Sequence, residues 1–79
     1  MKTIHDHSYV ELLANLRRER MASSISQAEL SQKLSKPQSF ISKIECGERR
    51  LDVIELLNIC AILGVKFRDV VPKDYRELL

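Results

Sequence analysis

Apolar residues in this chain recur at intervals of three and four, with a polar face left over on each stretch. That is the period of amphipathic helices packed on a shared core. Leu12, Leu13 and Leu16 mark a first helix, predicted from about Ser8 to Met21. Leu30 and Leu34, four apart, mark a second from about Gln27 to Leu34. Ile41 and Ile44, three apart, mark a third, expected to begin at Pro37 and to run to about Cys46. Leu56, Ile59, Cys60 and Leu63 form the inward stripe of a fourth, from Asp52 to Leu63. A short fifth helix is expected near residues 67–71, ended by Pro72, and residues 73–79 are expected to add one more turn or to fray.

The polar residues between these stretches support the same division. Ser8-Tyr9-Val10-Glu11, Ser26-Gln27-Ala28-Glu29 and Asp52-Val53-Ile54-Glu55 all read as capping boxes: a cap oxygen takes an orphan amide, and a Glu three residues on reaches back. Ile25 with Leu30, and Leu51 with Leu56, add hydrophobic staples. Pro37 suits a first helical position, where its missing N–H does no harm. Gly47 and Gly64 suit the left-handed stop after a helix. The pattern is all-α. Residues 1–7 are expected to be a flexible N-terminal arm.

Helix 4 is apolar on two sides. Ile54, Leu57 and Ala61 form a second stripe at i, i+3 and i+7, and a helix of that kind is normally buried on both sides. Either residues 66–79 cover this stripe or a second subunit does; a twofold dimer through helix 4 and the C-terminal segment is the preferred reading.

Composition narrows the class. A chain of 79 residues holds one domain, and at that size only about 60% of the unfolded surface is buried, so a partner subunit would add needed stability. With 44% hydrophobic and 30% charged residues the chain is globular rather than disordered. Segment 33–50 carries Lys33, Lys36, Lys43, Arg49 and Arg50 against Glu45 and Glu48, a net of +3 within a chain of net +2. Positive charge therefore gathers beside the third helix, as a face for a polyanion requires. Cys46 and Cys60 form no metal or disulfide framework, and no signal peptide or membrane-length apolar run is visible, so a cytoplasmic protein with reduced thiols is expected.

The third helix has the chemistry of a groove reader. Gln38, Ser39, Ser42 and Lys43 fall at i, i+1, i+4 and i+5, opposite Ile41 and Ile44. The major groove of B-DNA admits an α-helix; Gln pairs with adenine, Lys donates to guanine and Ser serves either role. Taken alone, such a face is usually a solvated one. The preceding helix and the tight turn at Ser35-Lys36-Pro37 make the DNA reading the better of the two.

Several stretches together resemble the Cro/repressor-type helix-turn-helix family, also called Xre-like or lambda-repressor-like. They are Leu16-Arg17-Arg18-Glu19-Arg20, Ile25-Ser26-Gln27-Ala28-Glu29-Leu30, Phe40-Ile41-Ser42-Lys43-Ile44-Glu45, Gly47-Glu48-Arg49-Arg50 and Leu63-Gly64-Val65. The resemblance covers about residues 12–71 without a gap. It implies a compact bundle of four or five helices, with a DNA-binding domain over residues 8–71, the motif at about 27–46, and a tail or short helix at 72–79 available for dimerisation. It also implies that Gln38, Ser39 and Lys43, with Ser42 next in line, read bases. Gln27, Lys36 and Arg49 would contact phosphates. For Arg20, a phosphate contact and a structural ion pair with Glu45 both stand, the pair being preferred. Phe40 either packs on the bundle or touches a thymine methyl or a sugar. Ser35 departs from the family's usual Gly, Lys36 from an apolar residue and Ser31 from Ala; a Ser there is expected to bond back to a helix carbonyl.

The function implied is a sequence-specific, double-stranded-DNA-binding transcriptional regulator of bacterial or phage type, a repressor acting as a homodimer on a near-palindromic operator. An antitoxin-type autoregulator with a protein partner (a toxin or co-regulator), or an interaction adaptor keeping the fold, are the alternatives. His5-Asp6-His7 is half a metal site at most, so no metal or cofactor is expected. The absence of a nucleophile set, a phosphate-cradling Gly loop or paired carboxylates speaks against an enzyme.

Overall fold

The computed structural model describes residues 6–79 as α1 (His7–Ala22), α2 (Gln27–Lys33), α3 (Phe40–Glu45), α4 (Val53–Leu63), α5 (Phe67–Val70) and a closing 3-10 helix (Lys73–Leu78). All regular structure among the described residues is helical. One core takes Leu13 and Leu16 from α1, Leu30 from α2, Phe40, Ile41 and Ile44 from α3, Leu56, Ile59 and Cys60 from α4, and Val70 from α5. Burial raises the Cys60 thiol pKa, so this cysteine is an inert core residue.

Two of the expected capping boxes form. Ser26 accepts from the Glu29 amide and Glu29 accepts from the Ser26 amide; Asp52 and Glu55 do the same for α4. The box at Ser8 does not. Asp6 caps α1 instead, its carboxylate accepting from the amides of Ser8 and Tyr9 at 2.9 and 3.3 Å. A charged carboxylate placed two residues upstream starts the helix earlier, so the amides of Ser8 and Tyr9 become the orphan donors that it accepts from. Glu11 accepts from the Lys73 amide at 2.9 Å, fastening the C-terminal segment to α1. Residues 6 and 7 thus belong to the helix start rather than to an arm, and the rest of that arm, with His5 of the metal candidate, lies outside the described residues.

Polar clasps close the bundle. Asn15 donates to the Val70 carbonyl at 3.0 Å, and Arg18 donates to the Asp69 carbonyl at 3.2 Å, so α1 grips α5. The Tyr9 hydroxyl accepts from the Leu51 amide at 3.3 Å just before α4. With the tail on α1, the outer stripe of α4 is left uncovered among the described residues. Ile54 is 62% exposed, Leu57 43%, and Ala61 is exposed beside them. Coverage by residues 66–79, one of the two alternatives the pattern left, is not what the fold does, because Val70 and Val71 are drawn into the core side.

Candidate nucleic-acid interface

α2 and α3 are joined by a turn whose backbone is set by Ser35, at φ 59. This left-handed conformation suits glycine and strains a serine. α3 begins at Phe40, three residues later than expected at Pro37. The Phe40 amide donates to the Pro37 carbonyl at 2.9 Å, so residues 37–40 make a tighter single turn that leads into the helix. Gln38 and Ser39 therefore sit on the entry turn rather than on the helix itself.

A buried hydroxyl stitches the two helices. Ser31 is fully buried, and its Oγ accepts from the Ile41 amide at 3.0 Å. This amide in the first turn of α3 has no earlier helical carbonyl to bond. The expected bond from Ser31 to a carbonyl of its own helix gives way to this inter-helix bond, which α3's otherwise uncapped start favours: Ser39, at the cap position, makes no side-chain cap bond.

Three helices meet at Glu45. Arg20 of α1 donates to its carboxylate twice, from Nε at 2.7 Å and from Nη2 at 3.1 Å. Gln27, at the start of α2, donates its amide to Oε1 at 2.8 Å. Arg20 also donates to the Ile25 carbonyl at 2.8 Å. The two charged side chains are 10% and 9% exposed. Such a pair is held by geometry and by full hydrogen bonding rather than by charge alone. One N–H of the Gln27 amide remains for an outside acceptor.

The outward surface is polar and basic. Gln38, Ser39 and Lys43 are exposed, and Ser42 is half-buried. Gln27, Ala28, Gln38, Ser39 and Ser42 line one shallow depression between the start of α2 and the entry to α3. The Ser42 hydroxyl donates to the Ser39 carbonyl at 2.9 Å, leaving its lone pairs outward as acceptors.

Phe40 is 6% exposed and packs in the core, which decides between its two roles in favour of packing. Its ring has a second use: the Lys36 ammonium lies 5.4 Å and the Arg49 guanidinium 4.8 Å from its centroid. Arg49 is further held by Glu55 through Nη1 and Nη2 at 2.9 and 2.8 Å. The bonded guanidinium holds the Glu55 carboxyl below the ordinary carboxylate range. The Arg49–Glu55 pair and the Ser31 stitch were missed in the sequence; the Glu of a capping box six residues from an Arg was the available signal for the first.

Of the candidate residues, the structure gathers Gln27, Gln38, Ser39 and Ser42 around one depression, with Lys36 and Arg49 together over Phe40 and Lys43 exposed on α3. Arg20 and Glu45 lie beneath them as an ion pair, and Ile54, Leu57 and Ala61 lie on α4. Among the described residues no three His, Cys, Asp or Glu side chains gather in a way that could hold a metal ion, and no helix is long and apolar enough to cross a membrane. A family model described as helix-turn-helix matches residues 16–70, more than half of the chain. No curated protein matches the chain.

Proposed function

The chain belongs to the helix-turn-helix family, as a DNA-binding transcription regulator of the Xre type, and from that premise we propose that it is a repressor that binds a near-palindromic operator as a twofold dimer. The DNA-binding unit spans residues 8–71. Residues 38–45, the entry turn and α3, enter the major groove. Gln38, Ser39, Ser42 and Lys43 read base edges, with Ser42 acting as an acceptor toward an adenine or cytosine amino group. Gln27, Lys36 and Arg49 hold backbone phosphates, which fix register without specifying sequence. The single observation that carries this reading is the polar, lysine-bearing outer face of residues 38–43 over buried Phe40, Ile41 and Ile44.

The exposed Ile54, Leu57 and Ala61 stripe supports dimerisation through α4, and the exposed Leu78 and Leu79 of the tail offer a second apolar patch for it. A dimer would set two α3 helices about 34 Å apart on one face of the duplex. The protein acts in the cytoplasm without a cofactor, by occluding a promoter rather than by catalysis. The same α4 stripe favours one second reading, an antitoxin-type autoregulator whose partner protein covers it.

Selection of the protein against a random duplex library at near-physiological salt tests the proposal. A twofold symmetric motif with half-sites one turn apart is the expected result. A motif without symmetry overturns the dimer; salt-sensitive binding with no motif overturns specific regulation.

A further inference from the structure

Arg49 is the most constrained cation on the basic face, and the constraint has a direction. Its Nη1 donates to the Arg50 carbonyl at 2.7 Å and to Glu55 at 2.9 Å, and its Nη2 donates to Glu55 at 2.8 Å. A guanidinium has five N–H groups in a rigid plane. Three are taken by the chain's own oxygens. The Nε–H and the second Nη2–H remain, side by side on one edge, which is the fork that fits two oxygens of a phosphate. The Phe40 ring 4.8 Å away supports one face of the plane, and the side chain is still 42% exposed. Lys36 sits over the same ring, so the cluster of Lys36, Arg49 and Glu55 keeps a net positive charge.

We infer that Glu55 is a positioning residue for DNA binding: it holds Arg49 against Phe40 with one guanidinium edge open to a backbone phosphate. The inference rests on the proposal that Arg49 contacts phosphate. Arginine otherwise loses much rotamer freedom when it binds, and here that freedom is already lost in the free protein. Glu55 stands on α4, whose N-terminus it also caps through the Asp52 amide, so the helix bearing the apolar stripe sets the place of a DNA-facing cation.

The two roles open to Glu55 predict opposite signs. A carboxylate that only neutralises Arg49 opposes DNA, and removing its charge tightens binding. A carboxylate that positions Arg49 assists, and removing it weakens binding. The experiment is a double-mutant cycle of Glu55→Gln and Arg49→Ala, measured by fluorescence anisotropy on a labelled duplex of mixed sequence at fixed salt. Glutamine still offers an oxygen to the Asp52 amide, so the cap of α4 survives. With Arg49 present, Glu55→Gln should lower affinity by about two- to tenfold, the worth of one ordered long side chain. With Arg49→Ala, the same change should leave affinity unchanged or raise it. An equal gain in both backgrounds overturns the positioning role and leaves the phosphate contact standing. Arg49→Ala with no loss of affinity overturns both together. If Glu55→Gln does not melt cooperatively, Glu55→Asp replaces it in the cycle: the charge and the α4 cap are kept while the reach to Arg49 is shortened, so affinity should fall only where Arg49 is present.

Discussion

The hydroxyl of Ser31 on α2 accepts a 3.0 Å hydrogen bond from the Ile41 amide on α3, in a spot closed to water. It ties the backbone at the start of α3 to α2, while the Glu45 bonds tie the side chain at its end. Ser31→Ala would leave that amide without a partner, at about 1–3 kcal/mol of stability. Urea denaturation followed by circular dichroism reads the loss directly. A midpoint equal to wild type would mean that α3 rearranges to find another acceptor.

The Arg20–Glu45 pair has the opposite character: many bonds converge on it rather than one. Removing either partner strands a buried charge together with Gln27 or the Ile25 carbonyl. Arg20→Ala and Glu45→Ala should each lower stability by roughly 3–5 kcal/mol, which can unfold a domain of this size outright. Arg20→Met with Glu45→Leu, which removes both charges and keeps volume, should recover much of the loss. Thermal melts of the singles and the double decide whether burial or pairing dominates.

DNA contacts separate by the kind of loss they produce. Lys43→Ala should relax preference at one base step, by about 1–3 kcal/mol if the contact is bidentate. Arg49→Ala should weaken all sequences alike and lower the slope of log affinity against log salt by about one unit. Titrations of both variants on matched and mismatched duplexes at several salt concentrations distinguish them. Uniform loss in both variants would remove Lys43 from the base readers.

The outer face of α4 gives a prediction about assembly. Ile54→Asp with Leu57→Asp places charge on two exposed positions and should leave the monomer folded, since neither side chain is part of the core. Sedimentation of wild type at micromolar concentration should show dimer and the variant monomer, with cooperative binding to a two-half-site duplex lost. A wild-type protein that stays monomeric free and on DNA rejects α4 as the dimer face.

Backbone strain at the turn can be relieved. Ser35, at φ 59, occupies a conformation glycine adopts without cost. Ser35→Gly should raise stability by about 0.5–1 kcal/mol, the relief of strain being partly offset by a more flexible unfolded chain. Differential scanning calorimetry is sensitive enough to see it.

Where the chain's own periodicity was strong, the elements were legible. The inward stripe of α4, the paired isoleucines of α3 and the stops at Gly47 and Gly64 follow from local spacing and sterics, and all three hold in three dimensions. The start of α1 was misplaced because Ser8 and Asp6 offer the same chemistry two residues apart, and only the helix that forms shows which one is used. The late start of α3 was hidden because Pro37 is compatible with both a helix start and a tight turn. Ser31 and Glu55 were opaque for another reason. Their partners lie ten and six residues away, across turns whose geometry no local pattern encodes. Beside the outward face of residues 38–43, the best-marked part of the site, the support that Phe40 gives to Lys36 and Arg49 stayed hidden, because a buried ring in a sequence looks like any other core residue.

The two helices of the helix-turn-helix are seven and six residues long. Isolated helices of that length do not persist in water. The reading surface therefore has no existence apart from the whole bundle, and a regulator of this design cannot be half active. Any event that opens the bundle, whether a proteolytic nick in a distant loop or a spell above the melting temperature, ends DNA binding as completely as dissociation does. The time for which a gene is held under control is bounded by the lifetime of the fold itself.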